Sequence, residues 1–276
     1  MGYDEKLLKN SELNISRLLE IMRTLRHPEH GCSWDIKQDF TSIAPYIIEE
    51  AYEVVDAIEE ENWNNLEAEL GDLLLQIVYQ AQIATEAHMF TFNDLTNAVS
   101  EKMIARHPHI FGNEQHNKSD EQVNSEWEDI KAVERASKDK PGVLDDVALA
   151  LPALLRAKKL QKRAARVGFY WPGLDFVLHK IKEEIDELAD ARNKDIPERI
   201  EEEFGDLLFV LVNFGRHIEV DAEEALRAAN KKFVRRFEHI EHELAKLGKS
   251  PEKSSLIEMD SLWNDAKKKE KQLYEL

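Results

Sequence analysis

Apolar residues recur along nearly the whole chain at three- and four-residue steps. Between Ile47 and Ile58 they fall at Ile47, Ile48, Ala51, Val54, Val55 and Ile58, the period of one face of an α-helix. The stretch from Leu66 to Ala84 repeats the pattern at Leu66, Leu70, Leu73, Leu74, Ile77, Val78 and Ala81, and Asn62 or Asn64 is placed to cap its start. Strand-like alternation is absent. Thr91-Phe92-Asn93-Asp94 reads as another helix start, for a segment running to Arg106, and His107-Pro108 disfavours its continuation. Ser119 and Asp120 open a polar helix through Trp127 and Lys131, and the polar stretch that ends in Pro141-Gly142 reads as a linker. The pattern predicts an all-α protein.

The second half replays the first. A shift of 134 positions superposes Glu50 on Glu184, Glu53 on Glu187, Glu69 on Glu203, Gly71 on Gly205 and Asp72 on Asp206. Further on, Lys102-Met103-x-x-Arg106 answers to Lys232-Phe233-x-x-Arg236, and Trp127-x-x-x-Lys131 to Trp263-x-x-x-Lys267. Two copies at so long a period make a duplicated domain rather than a solenoid. The expected organisation is an N-terminal domain over 1–137, a linker over 138–144 and a C-terminal domain over 145–276.

Composition narrows the chemistry. A net charge of −18 argues against a general nucleic-acid or anionic-membrane binder, because phosphate backbones are repelled outside a locally basic site. Cys32 is the only cysteine, which excludes an intramolecular disulfide framework and suits a reducing cytoplasm. The longest apolar runs, such as Leu207 to Val212, are too short to span a bilayer. Neither a phosphate-binding glycine loop nor a dinucleotide glycine turn is present. His27, His30, His107 and His109 lack the ligand spacing of a zinc site and read as loop residues.

The repeated acids carry the chemistry. Each copy reads Glu-Glu-x-x-Glu, a connection, then Glu-x-x-Asp: Glu49, Glu50, Glu53, Glu69 and Asp72, then Glu183, Glu184, Glu187, Glu203 and Asp206. Three-residue steps share a helix face, so four acids of each copy can converge between two packed helices. With 55 acidic residues in the chain, a solvated acidic face is the bland explanation. Against it, Glu203 and Asp206 abut the apolar run from Leu207 to Val212, where unpaired carboxylates are costly and a cation relieves the cost. Carboxylates without histidine or cysteine select a hard cation, magnesium or manganese, over the Glu-x-x-His pairs of a di-iron bundle.

These motifs, duplicated in one chain with Trp34-Asp35 near the start and the basic and tryptophan motifs after each copy, resemble the MazG family of nucleoside triphosphate pyrophosphohydrolases. The resemblance covers nearly the whole chain. It implies two tandem all-α domains packed as helical bundles, a homodimer, and magnesium-dependent cleavage of nucleoside triphosphates of broad base range to monophosphate and pyrophosphate.

The expected site lies in the C-terminal copy. Glu184, Glu187, Glu203 and Asp206 are its metal ligands, with a second set at Glu50, Glu53, Glu69 and Asp72. Glu183 or a metal-bound hydroxide takes the proton of the attacking water. Lys232 and Arg236 lie one turn apart and reach the same phosphates, as does Lys267 one turn after Trp263. Phe169 and Trp171 form an aromatic pair where the first copy has Ser33 and Trp34, and Glu202 completes the substrate contacts. Lys180 and Arg199 each stand one turn before a ligand, whereas the first copy has Tyr46 and Asn65 there. The C-terminal domain is therefore expected to carry the main activity and the N-terminal one to be weaker or regulatory. A helical regulatory protein with structural cation sites is the competing expectation.

Overall fold

The computed structural model describes residues 14–112, 119, 122, 126, 127, 130 and 142–274. Asp120, Lys131 and positions 138–141 of the expected linker lie outside the described residues. Among those described, every regular element is a helix, and the chain divides into compact units Met1–Ile130 and Lys131–Leu276.

Unit 1 holds α1 (Asn14–Leu25), α2 (Phe40–Glu59), α3 (Trp63–Glu86), α4 (Phe92–Arg106) and the single turn α5 (Pro108–Phe111). Three of the starts are written in side chains. Asp39 caps α2, accepting from the amides of Thr41 and Ser42 while Ser42 returns a bond to the cap. Asn62 accepts from Asn65 N at the head of α3, and Thr91 forms a reciprocal box with Asp94 at the head of α4. Each such cap satisfies an amide that the helix leaves orphaned. At Pro108 the chain re-enters a helix for one turn, since proline at a first helical position forfeits no bond.

α2 and α3 form an antiparallel hairpin, with α1 and α4 against α3. Met22, Ile43, Val78, Tyr79 and Ile83 make the core. Arg26, 7% exposed, ties the segment before α2 to α3: its guanidinium pairs with Glu86 at 2.7 Å and donates to the carbonyls of Asp35 and Gln38. Tyr79 joins this network through Asp35 Oδ1 at 2.9 Å, and burial with that bond pushes its hydroxyl up to about 12.

Unit 2 holds α6 (Ala153–Arg166), α7 (Leu174–Asn193), α8 (Pro197–His217), α9 (Ala222–Lys246) and α10 (Leu256–Tyr274). α7 and α8 form the hairpin that answers to α2 and α3, α6 lies against α8 and α9, and α10 against α9. Val177, Val210, Val212, Ile240 and Leu244 are among its buried aliphatics. Asp221 caps α9 through the amides of Glu223 and Glu224 and pairs with Lys158 of α6. No described helix is long and apolar enough to cross a membrane.

Candidate active site

α7 and α8 bring three carboxylates together. Glu184 and Glu187 lie one turn apart on α7 and Glu203 on α8, and one oxygen of each falls within 4.8 Å of the others. Glu184 is 4% exposed and Glu203 7%, with Glu187 half-buried beside them. Burial pushes the Glu187 carboxyl up, and the charges of Glu203 and Glu184 push it further. Three carboxylates so close repel one another, so the group calls for positive charge.

The unit supplies some itself. Lys180 Nζ stands 2.8 Å from Glu183 Oε1 and 2.9 Å from Glu184 Oε1, and Arg199 Nη2 stands 2.6 Å from Glu203 Oε1. These are the pairs that three- and four-residue helical steps allow. Bonds to Glu183 and Glu184 hold the ammonium of Lys180 well above the usual lysine value, and Glu203 raises Arg199 in the same way. Glu183, Glu202 and Asp206 are exposed, and Asp206 is not one of the three that converge. The same three-residue step brings Glu184 and Glu187 together, so spacing alone does not set Asp206 apart. All-oxygen donors at this mutual distance fit a hard cation, and neither histidine nor cysteine joins the group.

Unit 1 repeats the arrangement with different members. Glu50 and Glu69, both half-buried, and exposed Asp72 bring oxygens within 4.8 Å. Glu53 lies outside that group but next to it: burial pushes its carboxyl up, as do the charge and hydrogen bond of Glu50. Buried Gln76 donates to Glu50 Oε1 at 3.4 Å, a contact with no signal in the acidic motif. Tyr46 and Asn65, at the positions of Lys180 and Arg199, are exposed and bring no positive charge.

The basic and aromatic residues gather on α9 and α10. Arg236 binds Glu270 Oε2 through Nη2 at 2.6 Å and Nε at 2.8 Å, with its guanidinium 5.3 Å from the Trp263 ring centre. Phe233 packs on the same ring, and Arg235 takes the other oxygen of Glu270. Lys232 and Lys267 are exposed. The first copy keeps the core of this motif: Arg106 lies 5.5 Å over Trp127, whose ring meets that of His107 nearly at right angles. Among the described residues no hydrogen bond or ion pair joins the α9–α10 group to the carboxylates of α7 and α8. The sequence motif did not include Glu270, although an acid one turn past Lys267 is the signal that points to it.

Phe169 and Trp171 stand away from the carboxylates, on the wall of a cavity of about 370 Å³ between α6, α8 and the segment that joins α6 to α7. Phe169 is 77% exposed and Trp171 half-buried. Asn213, Gln161 and Arg216 are the polar members of that wall, and no sequence motif singled them out.

The MazG nucleotide pyrophosphohydrolase domain profile matches residues 38–111 and again residues 174–241, the two hairpins with the helix after each. A nucleoside triphosphate pyrophosphohydrolase from Escherichia coli is 48% identical over 93% of this chain and 98% of its own length. The nucleoside triphosphate pyrophosphohydrolase/pyrophosphatase MazG of Thermotoga maritima is 43% identical over 94% of this chain and 98% of its own. An uncharacterized protein of Bacillus subtilis, YabN, is 42% identical over 97% of this chain but only 54% of its own length.

Proposed function

The chain belongs to the MazG nucleotide pyrophosphohydrolase family, and on that premise we propose that it hydrolyses nucleoside triphosphates of broad base range to monophosphate and pyrophosphate with magnesium, or manganese in its place. The observation that carries the reading is the close approach of Glu184, Glu187 and Glu203, two of them almost wholly buried. These three would hold the cation, with Asp206 reaching in from its exposed place beside them. When bound, the cation offsets triphosphate charge and polarises the α-phosphorus towards water.

The chain's own groups do the rest. Lys180 and Arg199, held on the carboxylates, stand where incoming phosphates can draw them over. Exposed Glu183, next in sequence to Glu184, is the candidate acceptor of the water's proton. Lys232, Arg236 and Lys267 contribute further positive charge for the phosphates, Trp263 supports Arg236 by stacking, and Glu202 lines the approach along α8.

We assign the main turnover to the C-terminal domain, 145–276, because only its carboxylates have Lys180 and Arg199 beside them. The N-terminal domain, 1–137, is then the weaker or regulatory copy, and its acids at Glu50, Glu53, Glu69 and Asp72 the second cation site. Both hairpins expose apolar side chains, Ile48, Tyr52, Leu70 and Leu74 in one and Ile185, Phe204, Leu208 and Leu211 in the other. Such faces support a homodimer. The lone Cys32 supports a cytoplasmic setting, and the charge of −18 supports substrates that are small nucleotides rather than nucleic acids.

The test is a triphosphate panel with magnesium and separated products, run on the intact chain and on Glu184→Gln and Glu50→Gln. Monophosphate with pyrophosphate is expected, lost at least ~100-fold in Glu184→Gln and only a few-fold in Glu50→Gln. Diphosphate with orthophosphate would overturn the reaction, and equal losses would overturn the assignment to one domain.

A further inference from the structure

Glu270 is an acid set among the cations expected to meet the phosphates. Lys267 stands one turn before it on α10, and Lys232, Arg235 and Arg236 fall within little more than one turn of α9. The carboxylate is half-buried and bound on both oxygens. Arg236 donates to Oε2 from Nε at 2.8 Å and Nη2 at 2.6 Å, and Arg235 to Oε1 from Nε at 2.9 Å and Nη2 at 2.6 Å. Four charge-assisted bonds fill the capacity of one carboxylate. The hydrogen bonds of Arg236 lead in holding the Glu270 carboxyl below its usual value.

The bonds to Arg236 use one edge of its guanidinium and spare another. Five N–H groups lie along a side edge, Nε with Nη2, and an end edge, Nη1 with Nη2. Glu270 takes the side edge. Trp263 supports the group from 5.3 Å, and Phe233 packs against that ring in turn. The end edge is left over, and among the described residues nothing accepts from its Nη1. That edge is suited to grip a phosphate by two parallel bonds.

A plain tether between α9 and α10 is the competing account of this cluster, and it suffices for Arg235, which is exposed. The duplication favours a separate role for the Arg236 pair. Glu134 follows Trp127 at the spacing at which Glu270 follows Trp263, and Arg106 answers to Arg236, whereas Ala105 stands in place of Arg235. The two copies therefore share an arginine, a tryptophan and a glutamate, without the second arginine. Glu134 lies outside the described residues, so this match is one of sequence. The charge of Glu270 has the wrong sign for a phosphate, which separates its effect from simple attraction.

We propose that Glu270 is the positioning residue of the phosphate clamp, holding Arg236 by its side edge so that the end edge is presented to the triphosphate. The inference rests on the proposed triphosphate hydrolysis and deepens it. An arginine ordered in advance forms its paired bonds without the cost of immobilising a free side chain on binding.

The experiment compares Glu270→Gln, Arg236→Met and the double variant, by calorimetric binding of inorganic tripolyphosphate in magnesium and by kcat and KM for a nucleoside triphosphate. If charge alone governed the site, removing an acid would tighten phosphate binding. Positioning predicts the opposite: tripolyphosphate binding weaker by about tenfold, and kcat/KM lower by about the same factor. Because Glu270 acts through Arg236, the double variant should be no worse than Arg236→Met alone. Glu270→Asp keeps the charge at shorter reach and should fall between the parent and Glu270→Gln; it carries the test if Glu270→Gln does not fold. Tripolyphosphate bound as tightly or more tightly by the Glu270 variants, or losses that add in the double variant, would overturn the assignment and leave a tether. The expected binding pattern, without release of pyrophosphate by the unaltered protein, would leave Glu270 its role and overturn the hydrolysis.

Discussion

Asp221 joins two parts of unit 2, and its removal has a calculable cost. The carboxylate accepts from the amides of Glu223 and Glu224 at 3.0 and 3.2 Å, capping the helix that bears Lys232 and Arg236. It also pairs with Lys158, on the helix that supplies Gln161 to the cavity wall. Loss of an aspartate cap costs about 1 kcal/mol. The ion pair is partly exposed, with side-chain accessibilities of 36% and 27%, so it adds no more than ~1 kcal/mol. Asp221→Ala should therefore destabilise by about 2 kcal/mol, lowering the thermal midpoint by roughly 6 °C. Asp221→Asn keeps an acceptor for the amides and loses only the charge, so about half of that is expected.

The pH dependence separates the two contributions. The hydrogen bond from Lys158 lowers the Asp221 pKa below its usual value, assisted by the capping amides and opposed by burial. A carboxyl depressed in the folded state stabilises above its unfolded pKa, near 3.9, and loses that contribution as pH falls through the folded value. Calorimetry at pH 7 should show the full gap between the parent and Asp221→Ala, and the gap should narrow only below about pH 4. A gap independent of pH down to acid unfolding, or equal losses for alanine and asparagine, would refute this account of the joint.

Two other perturbations address the hairpins. Arg199→Met removes the charge opposite Glu203, so the midpoint should fall in chelator and much less with saturating magnesium; an equal fall in both would make the side chain a packing element only. Gly71→Ala on α3 should stabilise by up to ~1 kcal/mol, because a Cβ there meets nothing within 4 Å and the helix gains propensity. Chemical denaturation measures it, and a loss would reveal a neighbouring surface packed against that position.

How far the sequence disclosed these features depended on distance along the chain. Helix starts at Asn62 and Thr91 were legible because cap residue and apolar period coincide within a few positions. The start of α2 was not: Pro45 signals a break, yet it lies inside the helix, where the Asp39 cap secures the first turn and the chain turns helical from Phe40. Lys180 and Arg199 were placed beside the acids by helical spacing alone. Spacing did not separate Asp206 from the three converging carboxylates, since it fixes a side chain's face only to within the angle between neighbours. Asn213 and Gln161 stayed hidden for another reason. They meet only when α6 packs on α8, and neither stands in a motif.

α8 runs without interruption from Pro197 to His217 and bears Glu203, Asp206, Asn213 and Arg216 on one rod. A helix cannot stretch, so the interval between the carboxylates and the far cavity is set by residue count rather than by loop conformation. One inserted residue between Asp206 and Asn213 would advance the cavity side chains by only ~1.5 Å but swing them about 100° around the axis. The helix is in this sense a ruler with a fixed rotational phase, and any change of reach must be made in steps of whole turns.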